Sequence, residues 1–344
     1  METIILSEKR TRLVSLVTHP TMRVSRSGTR IIYYNKCMTY NPELISFHAT
    51  DGLELPGLLY KPEKTTDEVV VYLHGNGSSS IFYDPTFQNT VANYLNKSNV
   101  AYFPFNNRGA HLIKSFSRME NDEKVRDQYG TTYEVIKECI YDIDGAISML
   151  QARGYSLIHL AGLSTGANKI CVYDYYKHDN PVISYLLLSG GDDTGLYYSM
   201  LGGETFTAAL LKARTKIDQG KGDELVPPVL APFPLSYRSF YDTINPDGDY
   251  NIFPYNETMN HLNLSHKELF REFKHIEKPT HVIYGAVDEY CYGNVPGCVD
   301  ILKSHTAGKK NFNYTIIPDA PHGFDEKESE LATEIVAWIT NLKR

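Results

Sequence analysis

Short runs of consecutive apolar residues alternate along this chain with stretches whose apolar positions recur every three to four residues. That alternation predicts a parallel or mostly parallel sheet covered by helices on both faces, an α/β architecture. Continuous apolar runs at Val69–Leu73, Val100–Phe105, Ile158–Ala161, Ile183–Leu188, His281–Tyr284 and Tyr314–Ile317 read as strands. Two earlier segments, Leu44–His48 and Leu53–Tyr60, flank the turn pair Asp51-Gly52 and read as an antiparallel opening. Between strands, Tyr133, Ile136, Ile140, Ile143, Ile147 and Leu150 form one helical stripe, with Thr131 and Glu134 as a capping box and Gly154 as the stop. A last helix carries Leu331, Ile335, Trp338, Ile339 and Leu342 on one side.

Two regions break the alternation. Residues 1–40 are mixed and weakly periodic, an extension to which the pattern assigns no role. Residues 190–277 lie between two expected core strands and are rich in Pro, Tyr and Phe; a bare loop of that length does not fit a compact domain, so a cap with its own helices is expected. The core is then residues 41–189 and 278–344. At 344 residues, one sheet domain plus a cap is the simplest organisation.

Composition narrows the classes further. A hydrophobic share of 42% with 22% charged residues can bury a sizeable core, and no stretch approaches the ~20 apolar residues of a membrane span. The formal charge of −7 argues against a nucleic-acid partner. Charged residues within the first ten positions interrupt what would be the apolar segment of a secretory signal, so a cytoplasmic protein is expected. Cys37, Cys139, Cys171, Cys291 and Cys298 are odd in number and scattered, unlike a disulfide framework; Cys291 and Cys298 are close enough to bridge a loop, but reduced thiols are expected. The five N-x-S/T sequons, beginning with Asn76, are read as chance matches in the absence of a signal.

The chemistry concentrates where the run Leu157–Ala161 gives way to Gly162-Leu163-Ser164-Thr165-Gly166 and a helix beginning near Ala167. A strand that turns sharply into a helix needs residues without bulk on either side, and a serine at the apex is held exposed in a strained conformation. Such a hydroxyl needs a base and a carboxylate to orient that base, in the chain order nucleophile, acid, histidine. Asp288 follows the run His281–Tyr284, and His322 follows the run ending at Ile317, so both sit on strand-exit loops of one sheet edge. Glu289, Asp192 and Asp193 are other acids that could serve, while Asp319 reads as a turn former. The developing oxyanion needs two N–H donors. Thr165, just after the nucleophile, offers one, and the loop His74-Gly75-Asn76-Gly77-Ser78-Ser79 offers the other, with the Asn76 amide favoured and Gly77 next. The phosphate-binding pattern G-x-x-x-x-G-K-S/T does not occur.

The set His74-Gly75-Asn76-Gly77, Gly162-Leu163-Ser164-Thr165-Gly166, Gly285-Ala286-Val287-Asp288 and Pro321-His322-Gly323 resembles the α/β-hydrolase superfamily from about residue 44 to the C-terminus. Asn106-Asn107-Arg108-Gly109-Ala110-His111 is similar to that superfamily's Asp-x-Arg-Gly-x-Gly loop, departing at Asn107 and His111. The resemblance implies an eight-stranded sheet, a cap between strands six and seven, and catalysis by Ser164, Asp288 and His322 with no cofactor or metal. Within the superfamily, the spacing and the Tyr-rich cap are similar to the fungal siderophore-esterase group. The implied reaction is hydrolysis of a small-molecule carboxylic ester through an acyl-enzyme on Ser164, with thioesters, lactones and amides as the wider class. An acyltransferase and a non-catalytic small-molecule binder are the alternatives. Among the cap aromatics, Tyr197, Tyr237 and Tyr241, together with Gly77, are candidate substrate contacts, although most of these rings are expected to form the cap's own core. The sequence leaves the oligomeric state unassigned.

Overall fold

The computed structural model describes residues 21–24, 30–33, 42–82, 84–121 and 123–342, so most of the 1–40 extension and Cys37 lie outside the described residues. The chain divides into two units, Met1–Asn41 and Pro42–Arg344. In the first, β1 (Thr21–Val24) and β2 (Arg30–Tyr33) pair as an antiparallel hairpin.

In the second unit the apolar runs assemble into one eight-stranded sheet. Its strands are β3 (Glu43–His48), β4 (Glu54–Leu59), β5 (Glu68–Leu73), β6 (Ala101–Phe105), β9 (Leu157–Leu163), β10 (Val182–Leu188), β11 (Thr280–Gly285) and β12 (Phe312–Ile317), in the order β12-β11-β10-β9-β5-β6-β4-β3. The five pairings from β6 through β5, β9, β10 and β11 to β12 are parallel, while β3–β4 and β4–β6 are antiparallel, as the patterning predicts. Two strands outside the sheet, β7 (Lys114–Glu120) and β8 (Glu123–Tyr129), form a further hairpin that no apolar run announced.

Strand side chains alternate between faces, and the burial follows that period. From β5, Val69, Val71 and Leu73 enter the main apolar cluster with Ile143 and Ile147 of α2 (Cys139–Ala152) and Ile170 of α3 (Thr165–Tyr176). Tyr72 points the other way, its ring 5.3 Å from Phe87 of α1 (Pro85–Lys97). The helical stripe starts later than its apolar spacing suggests: a 3₁₀ turn at Ile136–Glu138 precedes α2. The capping box does not form, because both residues are engaged elsewhere. Thr131 Oγ1 donates to the Gly109 carbonyl and accepts from the Gly77 N–H, while Glu134 is buried against Lys169.

Between β10 and β11 lie α4 (Asp193–Leu201), α5 (Gly203–Asp218), α6 (Tyr237–Ile244), α7 (Tyr255–Met259) and α8 (Arg271–His275). Residues of α4–α6, among them Tyr197, Phe206, Tyr237 and Phe240, bury their own apolar cluster. From Tyr250 onward the segment belongs to the main core, where Tyr250, Phe253, Tyr255, Phe270 and Phe273 are buried. The separate cluster is thus smaller than the span 190–277, because the second half of that span packs into the main core. α9 (Val295–His305) and α10 (Glu328–Leu342) complete the chain, α9 adding Cys298, Val299 and Leu302 to the main core. Cys139, Cys171, Cys291 and Cys298 are buried and free.

Candidate active site

The site begins at the exit of β9. Ser164 has φ +57° and ψ −125°, a backbone conformation that costs a non-glycine residue on the order of 1–3 kcal/mol and persists only where the surroundings impose it. The imposition comes from close main-chain approach: a Cβ on Gly162 would collide with the Gly166 carbonyl, and one on Gly166 with the carbonyl of Leu73. The Ser164 N–H donates to the Leu188 carbonyl at 2.8 Å, tying the turn to β10. The helix starts directly after the serine, at Thr165, so its N-terminal amides face the same space as the hydroxyl.

On the adjacent strand, the loop after β5 lies against this turn. A Cβ on Gly75 would stand 2.9 Å from Ser164 Cβ and 3.4 Å from Ser164 Oγ, so only glycine lets this loop pass so near the serine. Among the described residues, the Asn76 and Thr165 amides have no hydrogen-bond partner. The Gly77 N–H, the runner-up donor, is spent on Thr131 Oγ1 at 2.7 Å.

The loop is held from behind by a polar seam. Asn106 Oδ1 accepts from the amides of Ser80 and Ile81 at 2.7 and 2.9 Å, and the His111 N–H donates to the Ser78 carbonyl at 2.9 Å. Arg108, buried, donates from Nε and Nη2 to Asp142 at 3.0 and 2.8 Å and reaches Asp51 and Glu138. Lys169 lies 2.5 Å from Glu134 and 3.2 Å from Asn107 Oδ1. The loop of residues 106–111 therefore belongs to a scaffold behind the serine. Burial and the nearby Lys169 charge push His74 down to about 3, which keeps its ring neutral.

The other two candidates, Asp288 and His322, lie side by side. His322 Nδ1 lies 2.9 and 3.0 Å from the two Asp288 carboxylate oxygens, the aspartate side chain being 1% exposed and the histidine 14%. Gly285 makes the meeting feasible, since a Cβ there would collide with the carbonyls of Ala320 and Pro321 on the histidine's loop. Two neighbours carry no sequence motif but hold the imidazole. Glu289 Oε2 accepts the His322 backbone N–H at 3.1 Å, and the Tyr290 ring meets the imidazole edge-on, centroids 4.6 Å apart.

The remaining acids separate cleanly. Asp192 caps α4, accepting the Gly195 N–H at 2.8 Å, and its other oxygen accepts the Asn256 N–H at 2.7 Å and the Tyr292 hydroxyl at 3.0 Å. It is a structural clamp between the start of α4 and α7. Asp193 instead lines the cavity that holds Ser164 and His322, and burial raises its carboxyl to about 6. Asp319 adopts φ +56° in the turn before His322.

That cavity, of about 560 Å³, is walled on the sheet side by Tyr72, Gly75, Asn76 and Phe87 and on the other by Leu196, Tyr197, Met200 and Phe233. Of the candidate substrate contacts, Tyr197 lines it. Tyr237 is buried in the α4–α6 cluster, Tyr241 packs against that cluster, and Gly77 turns toward Thr131, so none of these three is among the described residues that line the cavity. Among the described residues, no group of His, Cys, Asp and Glu could hold a metal ion, and no helix is long and apolar enough to cross a membrane.

No family model matches the chain, and no curated protein matches it. Solved structures do. Est1E of Butyrivibrio proteoclasticus, solved with ferulic acid bound, is similar at 13% identity and TM-score 0.58 over 86% of this chain and 98% of its own. An esterase of Pyrococcus furiosus is similar at 16% identity and TM-score 0.53 over 88% and 91%. An alpha/beta hydrolase of a Penicillium species, GrgF, is similar at 13% identity and TM-score 0.58 over 86% of this chain and 96% of its own. Together with the sheet order and the helices inserted after its sixth strand, these likenesses establish that the chain has the α/β-hydrolase fold.

Proposed function

We propose that this protein is a serine hydrolase that cleaves carboxylic esters of small molecules through an acyl-enzyme on Ser164. The observation that carries the reading is the convergence of three separate strand exits on one cavity, with a strained serine at the first and an Asp288-oriented imidazole from the other two. In the proposed reaction, His322 Nε2 takes the proton of Ser164 Oγ as the oxygen attacks the ester carbonyl. The Asn76 and Thr165 amides donate to the tetrahedral oxyanion, a contribution of roughly 3 kcal/mol for each preorganised donor. The histidine then hands its proton to the departing alcohol, and a water activated by the same ring releases the acid. Asp288 keeps Nδ1 protonated, so that Nε2 is the basic nitrogen, and stabilises the imidazolium.

The segment after β10 acts as the cap: Leu196, Tyr197, Met200, Pro232 and Phe233 close the cavity over the serine and give it an apolar wall suited to an acyl chain or aromatic acid. The esterase names of the neighbours agree with this reading. Titration with a serine-directed phosphonate and mapping of the adduct test it. One equivalent should attach to Ser164 and abolish hydrolysis of an aryl ester, whereas hydrolysis that survives stoichiometric labelling would refute the assignment. Product analysis with an added alcohol then distinguishes a hydrolase, which releases acid, from an acyltransferase, which forms the new ester.

A further inference from the structure

Two residues that line the cavity each carry one polar atom without a partner, and both belong to one turn of α4. Asp193 Oδ2 and the Tyr197 hydroxyl oxygen are shut off from solvent, and neither makes a hydrogen bond among the described residues. They stand four residues apart on the helix and so share a face. That face is turned to the nucleophile. A Cβ placed on Gly191 would lie 3.4 Å from Asp193 Oδ2 and 4.0 Å from Ser164 Oγ, so carboxylate and hydroxyl flank the same point. The position is fixed from α3, where Asn168 donates to the Gly191 carbonyl at 2.9 Å and accepts the Gly191 N–H at 3.1 Å.

A buried carboxylate oxygen without a partner is costly, and a ligand that completes it offsets that cost. Among the described residues that line the cavity there is no lysine or arginine, the basic group there is the His322 imidazole, whose charge Asp193 feels, and the second acid, Asp84, accepts the Phe87 N–H as the cap of α1. We propose that Asp193 is a specificity determinant that binds a protonated amine on the substrate. A primary ammonium carries three donors, enough to serve the Asp193 carboxylate and the Tyr197 hydroxyl together once these side chains turn to it, and the rings of Tyr197 and Phe233 favour a cation beside them. An ester with an ammonium a few bonds from its carbonyl is the matching substrate class, and one with a carboxylate in that place is rejected. This deepens the serine-esterase reading and rests on it.

The test compares three aryl esters of similar size: 4-nitrophenyl butanoate, its isostere 4-nitrophenyl 3-aminopropanoate and the anionic malonate half-ester. Binding to Ser164→Ala protein is read by calorimetry, and kcat/KM is read on the serine enzyme. The ammonium ester should be preferred over butanoate by about tenfold or more in both, chiefly through affinity and KM, and the malonate disfavoured by a similar factor. Asp193→Asn should bring the ammonium-to-neutral ratio to within about threefold of unity, and Tyr197→Phe should lower it partway. Equal binding of the three esters, or a preference that persists in Asp193→Asn, overturns the inference. Failure of the esterase reading would look different: no turnover of any ester and no phosphonate adduct, while the calorimetric preference still decides the role of Asp193.

Discussion

The loops that leave β10 and β11 emerge side by side from the same sheet edge, and each delivers acidic residues toward the cavity, yet the acids are used in three ways. After β11, Asp288 is fully committed: both its oxygens face His322 Nδ1, and Oδ1 also accepts the Tyr290 N–H at 3.0 Å. After β10, Asp192 is committed to the fold through three donors, while Asp193 Oδ2 has none. The contrast separates roles that residue type alone cannot. A carboxylate saturated by a base is suited to orienting it, one saturated by backbone amides holds loops together, and one with an unpartnered oxygen beside the proposed nucleophile is the proposed ligand site.

Breaking the first commitment has the largest expected effect. Asp288→Asn should lower kcat for an aryl ester by about 10⁴, because the amide favours the wrong histidine tautomer. An equal loss on Asp192→Asn with Asp288→Asn near normal would instead move the orienting acid to the β10 loop. Asp192→Ala should act on stability, costing about 2–4 kcal/mol by removing a helix cap and stranding the Asn256 amide, as read by urea denaturation. Gly285→Ala should lower kcat by roughly 10²-fold with a modest loss of stability, since the new methyl pushes the histidine's loop off the Asp288 loop.

Asp193 sharpens the comparison through pH. Its carboxyl, raised to about 6 in the folded protein against an ordinary value of 3.8, takes up its proton more readily folded than unfolded. Its protonation therefore favours the fold fully below pH ~4, and this contribution is lost as pH rises through about 6. Asp193→Asn removes that loss, so at pH 8 the variant should be more stable than the parent by on the order of 1–2 kcal/mol, with little difference at pH 4. A destabilised variant at pH 8 would mean that the carboxylate is paired. The smallest effect is expected of Glu289→Gln, which keeps an acceptor for the His322 amide and should change kcat only about two- to fivefold.

Much of this was legible in the sequence where local chemistry and strand periodicity act together. The glycines around Ser164 mark a turn that only small residues permit, and Asp288 and His322 each follow an apolar run whose strand status needs no tertiary information. The β7–β8 hairpin was not legible: Lys114–Tyr129 is mostly polar and carries no uninterrupted apolar run. Thr131 and Glu134 match a capping box in spacing, but their partners, Gly77, Gly109 and Lys169, are distant in sequence. The Tyr-rich stretch could not be divided in advance between wall and core, because buried rings look alike until helices α4–α6 show which face is turned to Ser164. Among the acids after β10, the sequence offers two adjacent aspartates, and only the side-chain partners tell the clamp from the free carboxylate.

The central claim is that Ser164 is the group that becomes acylated. Rapid quenching of the enzyme during turnover of a 4-nitrophenyl ester, followed by peptide mass analysis, tests it most directly. The account predicts a burst of nitrophenol close to one equivalent and an acyl group on the peptide containing Ser164, absent in Ser164→Ala. Turnover with the acyl group on another residue, or undiminished in Ser164→Ala, would contradict it.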